Sequence, residues 1–583
     1  MEPRRLVLAV VLMAAVLLAT PYLFPTPPSA PLADSTRAAQ TDASPSATPT
    51  VSGTAGAASA GAASAGTASA APAAPTAAMG AATSAMDSAQ LAQAQLAQPT
   101  RVDTAVVTTT PAIYRTSSRG AALVSAEMTR YPALSDKGRT RTGTVELALP
   151  QSPLLAYRLV VPGDTIDLSR VNFTATTADA ANGGREVRYE AVLGARSVRI
   201  AYSFLPDSYR VNVAAAVAGV PDNSYLLVDL PRGIRSSEAD TVEDHRHLEY
   251  AFKPEASSAG KVTFESLDPG EREIEAGPIT WAVAKSKYFI VGVLAPQGAS
   301  GFAEVNFTGG PRVAKAATRS EATLVTPLKA GNAAFEVYAG PQEFKRLVAM
   351  GREFETSNPY GGWLQGIVQP FATLVIRTLL WMKATLGLSY GWILVLFGVA
   401  IRIVLWPLNQ KAMRSSMQMQ RIQPELQAIQ TRYKGDPQKL QAAMMQVYKE
   451  HGMSPFSSLS GCLPMLIPLP VFMALFFVFQ NTIEFRGVPF LWFPDISLKD
   501  PYFIIPILVA VTTLLMSWIS MRGVKTNEQQ KMMMYLMPGM MLVLFFSMAS
   551  GLNLYYFIQN LASLPQQWLI ARERGKNVPL VRG

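Results

Sequence analysis

Apolar and polar positions follow two different rhythms along this chain, and the change between them divides it. From Arg101 to about Pro341 the period is two: Val187 and Tyr189, then Val198, Ile200 and Tyr202, then Tyr209, Val211 and Val213 alternate with polar or charged neighbours. Turn-forming clusters such as Asn182-Gly183-Gly184 and Pro221-Asp222-Asn223 separate the runs. Many short strands with little helical patterning predict a large antiparallel β-sandwich, assigned to residues 101–345. Beyond it come long apolar runs at 389–411, 459–482, 501–521, 530–549 and 551–571. Each suffices for a membrane span of about 20 residues, allowing for fraying and tilt. The stretch 361–385 is apolar but carries Gln365, Gln369, Arg377 and Lys383, so it is expected to lie in the membrane interface plane.

At the N-terminus Arg4 and Arg5 precede an apolar run, and residues 1–24 read as an uncleaved signal anchor, which brings the expected transmembrane helices to six. Residues 25–100 are rich in Ala, Ser, Thr and Pro, with the repeat GAASAGAASAGTASA at 56–70. Such a segment has too few large apolar side chains to offset chain entropy and reads as a disordered tether. Residues 412–453 show Ile422, Leu426, Ile429 and Tyr433, then the breaker Lys434-Gly435-Asp436-Pro437, then Leu440, Met444, Val447 and Tyr448. This predicts an antiparallel helical hairpin, its stripes serving either self-packing or a partner.

Charge orients these elements. The hairpin segment, the 522–531 connection and the tail 572–583 are rich in Lys and Arg, whereas the loop 483–500 has only Arg486 and Lys499 beside Trp492 and Phe493. Cationic loops stay on the cytosolic side, which places both termini inside and the sheet domain outside, in the periplasm of a Gram-negative inner membrane. The chain is 49% hydrophobic and 16% charged over 583 residues, too apolar for one soluble domain. Its net charge of +10 fits these flanks better than direct nucleic-acid binding, for which no zinc-ligand spacing or aromatic stripe is found.

Candidate chemistry is sparse. Cys462 is the single cysteine, and His245 and His247 in EDHRH read as a solvated turn, so no metal site is expected. No Gly-Lys-Ser/Thr loop or H-E-x-x-H helix occurs, and no cofactor or catalytic constellation is expected; the chain does not read as an enzyme. The five later spans contain no Asp or Glu, which argues against a proton-coupled transporter. They do contain Arg402, within the apolar run Gly391–Lys411. A guanidinium at mid-membrane costs at least ~2.5 kcal/mol, so it either snorkels toward the end near Lys411 or faces a wet interior cavity. The last span adds Asn553, Tyr555, Tyr556, Gln559 and Asn560 on partly overlapping faces. Met465, Phe472 and Phe476 in 459–482 and Met537, Met540 and Met541 in 530–549 form soft apolar surfaces, either an adaptable wall or ordinary packing.

The segments AIRIVLWPLNQKAMRSSMQMQRIQPELQAIQTRYKGDPQKLQAAMMQVYKEHGMSP, GCLPMLIPLPVFMALFFVFQ, LWFPDISLKDPYFIIPIL and MPGMMLVLFFSMASGLNLYYFIQN closely resemble the YidC/Oxa/Alb family of membrane protein insertases, over about 350 to 572. RGAAL at 119–123, TWAVAKSKYF at 280–289 and YAGPQEF at 338–344 resemble the periplasmic domain of its Gram-negative members. The resemblance implies a polytopic α-helical insertase and chaperone, five helices forming a hydrophilic groove open to the cytosol, with Arg402 inside it and Tyr556 as the groove tyrosine. Tyr555, Gln559 and Asn560 would join them, and the Met- and Phe-rich surfaces would be a slide toward lipid. The family often has a hydroxyl residue four positions before the arginine; here that place is Gly398. Implied partners are nascent membrane proteins, membrane lipids, the Sec translocon (SecYEG, SecDF) and the ribosome, with insertion needing no ATP. The alternatives are a small-solute or ion transporter or channel, and an assembly chaperone that releases no inserted product.

Overall fold

The computed structural model describes residues 101–134, 141–180, 183–313, 316–360, 365–433, 435–451, 469–521 and 528–576. The expected anchor, the tether, the end of the basic tail and Met465 lie outside these residues.

The two-residue rhythm becomes two large antiparallel sheets and, among the described residues, a further two-stranded one. Thr104–Thr108, Ala112–Ser117, Ala122–Leu134 and Arg141–Glu146 pair in chain order as a four-stranded sheet. A fourteen-stranded sheet runs from an edge at Asp164–Asp167 to another at Thr174–Asp179. In its strand Arg185–Leu193 the buried positions are Val187, Tyr189, Ala191 and Leu193, the side-chain alternation that a half-buried strand demands. Two of these rows reach the smaller sheet. Tyr189 donates to Thr116 Oγ1 at 2.6 Å, and Tyr202 from the neighbouring strand donates to the Ala121 carbonyl at 2.7 Å. One contiguous buried cluster therefore joins Tyr114 and Leu123 of the small sheet to Tyr202, Trp281 and Val337 of the large one.

Helix α1 (Thr241–His245) replaces the solvated turn expected for EDHRH. Asp240 caps it by accepting from the Glu243 amide at 2.9 Å, Asp244 is buried, and His247 Nδ1 lies 2.8 Å from the Glu243 carbonyl. The correction has a local cause: an N-cap Asp followed by acidic residues stabilises a helix start even in a short segment.

After the sheets come α2 (Phe344–Met350), α3 (Gln365–Leu386) and α4 (Tyr390–Val404), with α3 and α4 meeting at 118°. Gly387, at φ +67°, supplies the left-handed residue for that break. Then follow α5 (Trp406–Arg432), α6 (Pro437–Glu450), α7 (Leu469–Asn481), α8 (Ile504–Met521), α9 (Glu528–Phe546) and α10 (Ser550–Lys576). Asp436 caps α6 and Pro437 opens it, while Ile422, Leu426, Val447 and Tyr448 bury the facing stripes of α5 and α6 against each other.

Two expectations change here. The apolar run 389–411 is not one helix: α4 ends at Val404 and α5 starts at Trp406, with Leu405 between them. Pro407 has no amide hydrogen to donate to the carbonyl four residues earlier, so the helix is interrupted there. Nor does the described length and apolarity of the helices yield the six spans. Among the described residues α8 alone is long and apolar enough to cross a membrane, α3 with α4 qualify as a bent pair, and Val471–Asn481 and Met534–Phe546 are shorter apolar helices. The α10 helix is long but carries a polar stripe that includes Gln559 and Gln566.

Candidate functional site

Arg402 stands in the last turn of α4, from which the chain passes through Leu405, itself in helical conformation, directly into α5. The side chain is half-buried. Its Nη2 donates to Gln566 Oε1 of α10 at 2.7 Å, and its Nε is buried with no hydrogen-bond partner among the described residues.

Gln566 is fully buried, and its amide nitrogen donates to Gln410 Oε1 at 3.1 Å and to the Trp406 carbonyl at 3.4 Å. One glutamine thus bridges the end of α4 and the start of α5. One turn or two earlier on the same face of α10, Gln559 donates to the Gly398 carbonyl at 3.0 Å and to Tyr555 Oη at 3.0 Å, and the Tyr555 ring lies 6.0 Å from that of Phe397. Residues 555, 559 and 566 are separated by four and seven positions, so α-helical geometry places them in one row facing α4.

Gly398 has a packing role. A Cβ at this buried position would come within 3.1 Å of Ile558 Cγ2 and 3.5 Å of Tyr555 Cδ2, and its backbone carbonyl is the acceptor for Gln559. Missing bulk lets α4 and α10 approach closely enough for backbone to take part in the polar row.

The remaining expected groove residues point elsewhere. Asn560 is buried against α8, donating to Thr513 Oγ1 at 2.9 Å and Thr512 Oγ1 at 3.2 Å. Tyr556 packs in an aromatic cluster with Phe545 of α9 at 4.9 Å and Phe472 of α7 at 5.8 Å. Arg402, Gly398, Tyr555 and Gln559 are therefore brought together, whereas Asn560 and Tyr556 occupy two other faces of α10. Of the expected slide, Phe472 and Phe476 flank the apolar core with Met541, and Met537 and Met540 are half-buried. Phe472 joins this surface to Tyr556.

Gln566 and Gln410 are the residues that sequence reasoning missed. Both lie at or beyond the ends of the apolar runs, where a polar residue reads as a flank. Extending the row of Tyr555 and Gln559 by two turns would have reached Gln566. Among the described residues no group of His, Cys, Asp or Glu could hold a metal ion.

Comparison with known proteins covers both halves of the chain. The sequence profile of the 60Kd inner membrane protein family matches residues 381–577, and that of the YidC periplasmic domain matches residues 102–374. A membrane protein insertase YidC from Anaeromyxobacter sp. (strain Fw109-5) is 31% identical over 397 residues, covering 67% of this chain and 70% of the relative. One of the same name from Chlorobium phaeovibrioides is 31% identical over 481 residues, covering 75% of this chain and 81% of the relative. Among solved structures, an active YidC insertase with its first transmembrane domain resolved aligns over 83% of this chain and 98% of its own, at 20% identity and a TM-score of 0.32.

Proposed function

The chain belongs to the YidC membrane protein insertase family, and from that premise we propose that it inserts membrane proteins through the polar row between α4 and α10, with Arg402 as the substrate-attracting cation. The observation that carries this reading is that the Arg402 guanidinium is held by a neutral amide. Among the described residues the polar partner found for Arg402 is this amide and not a carboxylate, and its buried Nε has no hydrogen-bond partner there.

Solvation supplies the mechanism. A polar segment entering hydrocarbon leaves each unpaired backbone group several kcal/mol less stable. A row of amides and one cation reaching partway across shortens that dry path. The apolar segment of the substrate then moves over the Phe472, Phe476, Met537, Met540 and Met541 surface into lipid, driven by burial of about 25 cal/mol per Å². No nucleotide hydrolysis enters this step.

In this reading the helical part spans an inner membrane with both termini cytosolic and the sheet domain periplasmic. The α5–α6 hairpin is the cytosolic first contact for a nascent chain, and the Sec translocon and ribosome are working partners. The test is insertion of a small single-span substrate with an acidic leading segment into proteoliposomes holding only this protein. Arg402→Lys is expected to retain most insertion and Arg402→Ala to lose it; full insertion by the Ala variant refutes the charge argument. Insertion that occurs only when other components are added favours a chaperone role, and solute flux through these vesicles without insertion favours a transporter.

A further inference from the structure

The loop between α7 and α8 belongs to two cores at once. Its short 3₁₀ turn Ile483–Phe485 sends Ile483 into the buried cluster of the sheet domain and Phe485, two residues later, into that of the helices, where it stacks on Phe479 at 4.6 Å. The next residue is Arg486. Its Nε lies 2.8 Å from both carboxylate oxygens of Glu238, its Nη2 donates to the Pro132 carbonyl at 3.0 Å and the Ser237 carbonyl at 3.4 Å, and the Phe289 ring is 5.7 Å from the guanidinium carbon. Both side chains are almost completely enclosed, Arg486 at 3% and Glu238 at 7% exposure. Every one of those acceptors belongs to the sheet domain.

The same loop seats the start of two helices. The Ser550 and Gly551 amides at the head of α10 donate to the Leu498 and Ile496 carbonyls at 2.7 and 2.8 Å. Asp500 accepts from the Tyr502 and Ile505 amides at the head of α8 and from Trp492 Nε1. Asp495 holds the loop itself, accepting from the Gly487 and Ser497 amides at 2.8 Å each. Sheet domain, loop and helix heads thus form one continuous set of contacts, with the almost completely enclosed Arg486–Glu238 ion pair at the sheet-domain end.

We propose that Arg486 is the anchor of an intramolecular docking surface: inserted into a pocket formed by Glu238, Pro132, Ser237 and Phe289, it fixes the sheet domain against the loop that seats α8 and α10. The partner that this surface fits is the chain's own sheet domain. Arg486 is a positioning residue and touches no substrate. The geometry favours arginine over lysine, because a planar guanidinium satisfies a carboxylate and two carbonyls together whereas an ammonium on a flexible stem does not hold that arrangement. Removing one member leaves the other charge buried and unpaired, which is far more disruptive than losing an exposed pair such as Lys499 with Asp240.

The test uses the full chain in nanodiscs with Cys462 replaced by Ser and spin labels at the exposed Val192, near the end of the strand Arg185–Leu193, and at Leu388, between α3 and α4. Pulsed electron resonance reads the distance distribution between them. Arg486→Ala is expected to broaden it roughly twofold, as a dock with one unpaired buried charge opens, and Glu238→Ala, made on the opposite wall, is expected to do the same. Lys499→Ala is expected to leave the width unchanged. A narrow distribution in both pocket variants overturns the proposal, as does equal broadening by Lys499→Ala. Should Arg486→Ala fail to fold, Glu238→Ala decides. Because the readout is a distance and not insertion, its failure is distinguishable from failure of the insertase reading.

Discussion

Replacing Gln566 by Leu is the most informative single change in the polar row. It removes the acceptor 2.7 Å from Arg402 Nη2 and the donor that faces Gln410 Oε1 at 3.1 Å, at a position with no solvent exposure. A hydrogen bond to a charged group contributes about 1.5–3 kcal/mol, and a buried charged group left unsatisfied costs at least that much. The expected loss is therefore about 2–3 kcal/mol. A cycle with Arg402→Met isolates the contact: each single variant destabilises, and the double variant loses less than their sum by about 1.5–3 kcal/mol. Unfolding of the purified protein in a fixed detergent, followed by denaturant titration, measures the four corners. Effects that add within about 0.5 kcal/mol refute the contact. Gln566→Glu supplies the functional half. It gives the arginine a carboxylate partner in the same place, so stability at pH 8 is expected to hold while insertion of an acidic-headed substrate falls. Unchanged insertion refutes the idea that an uncompensated cation is what the site offers.

Other expectations rest on separate observations. Gly398→Ala places a methyl group 3.1 Å from Ile558 Cγ2 and is expected to cost about 1–3 kcal/mol by overpacking, with partial recovery when Ile558→Val is added; the same unfolding assay checks both. Gly391→Ala drives a Cβ to within 2.1 Å of the Phe490 ring, and a larger loss, with reduced yield of folded protein, is expected. Burial raises the Glu238 carboxyl to about 7 in spite of Arg486, and burial likewise raises Glu484 to about 7. Raised carboxyl values mean that the folded state holds more protons than the unfolded chain, so this contribution is fully present below the unfolded carboxyl range and is lost as pH rises through about 7, at up to about 1.4 kcal/mol per pH unit for each group. The melting temperature is expected to fall between pH 5.5 and 8, and Glu238→Gln with Glu484→Gln to flatten that slope; an unchanged slope rules these two groups out.

The β-rich architecture was legible because alternation is a local property: Val187, Tyr189, Val198, Ile200 and Tyr202 are all buried where period two puts them. The hairpin of α5 and α6 was legible for the same reason, with Ile422 and Leu426 facing Val447 and Tyr448. Two kinds of feature were not. Apolarity continues through Leu405 while the helix does not, because the interruption comes from the missing amide hydrogen of Pro407 and leaves hydrophobicity unchanged. And pairings across long separations, such as Glu238 with Arg486 or Arg402 with Gln566, depend on three-dimensional packing that no periodicity encodes. Tyr555, Tyr556, Gln559 and Asn560 divide between faces for a geometric reason: neighbours in sequence on a helix differ by about 100° in direction, so Tyr556 and Asn560 turn to α7, α9 and α8 while Tyr555 and Gln559 face α4.

Gln566 also answers the difficulty that Arg402 poses. Absence of carboxylates in the later spans left the cation needing water or substrate as company. A carboxylate would have solvated the guanidinium at the expense of its field, because an ion pair is close to neutral a few ångströms away. An amide oxygen accepts a hydrogen bond and leaves the net charge in place. With Gln566 itself anchored by Gln410 and the Trp406 carbonyl, the acceptor is oriented before any substrate arrives. The amide thus lowers the cost of holding an arginine among apolar helices while leaving its net charge in place, and on the proposed insertion role substrates with an acidic leading segment are expected to depend on Arg402 more than those with a neutral one.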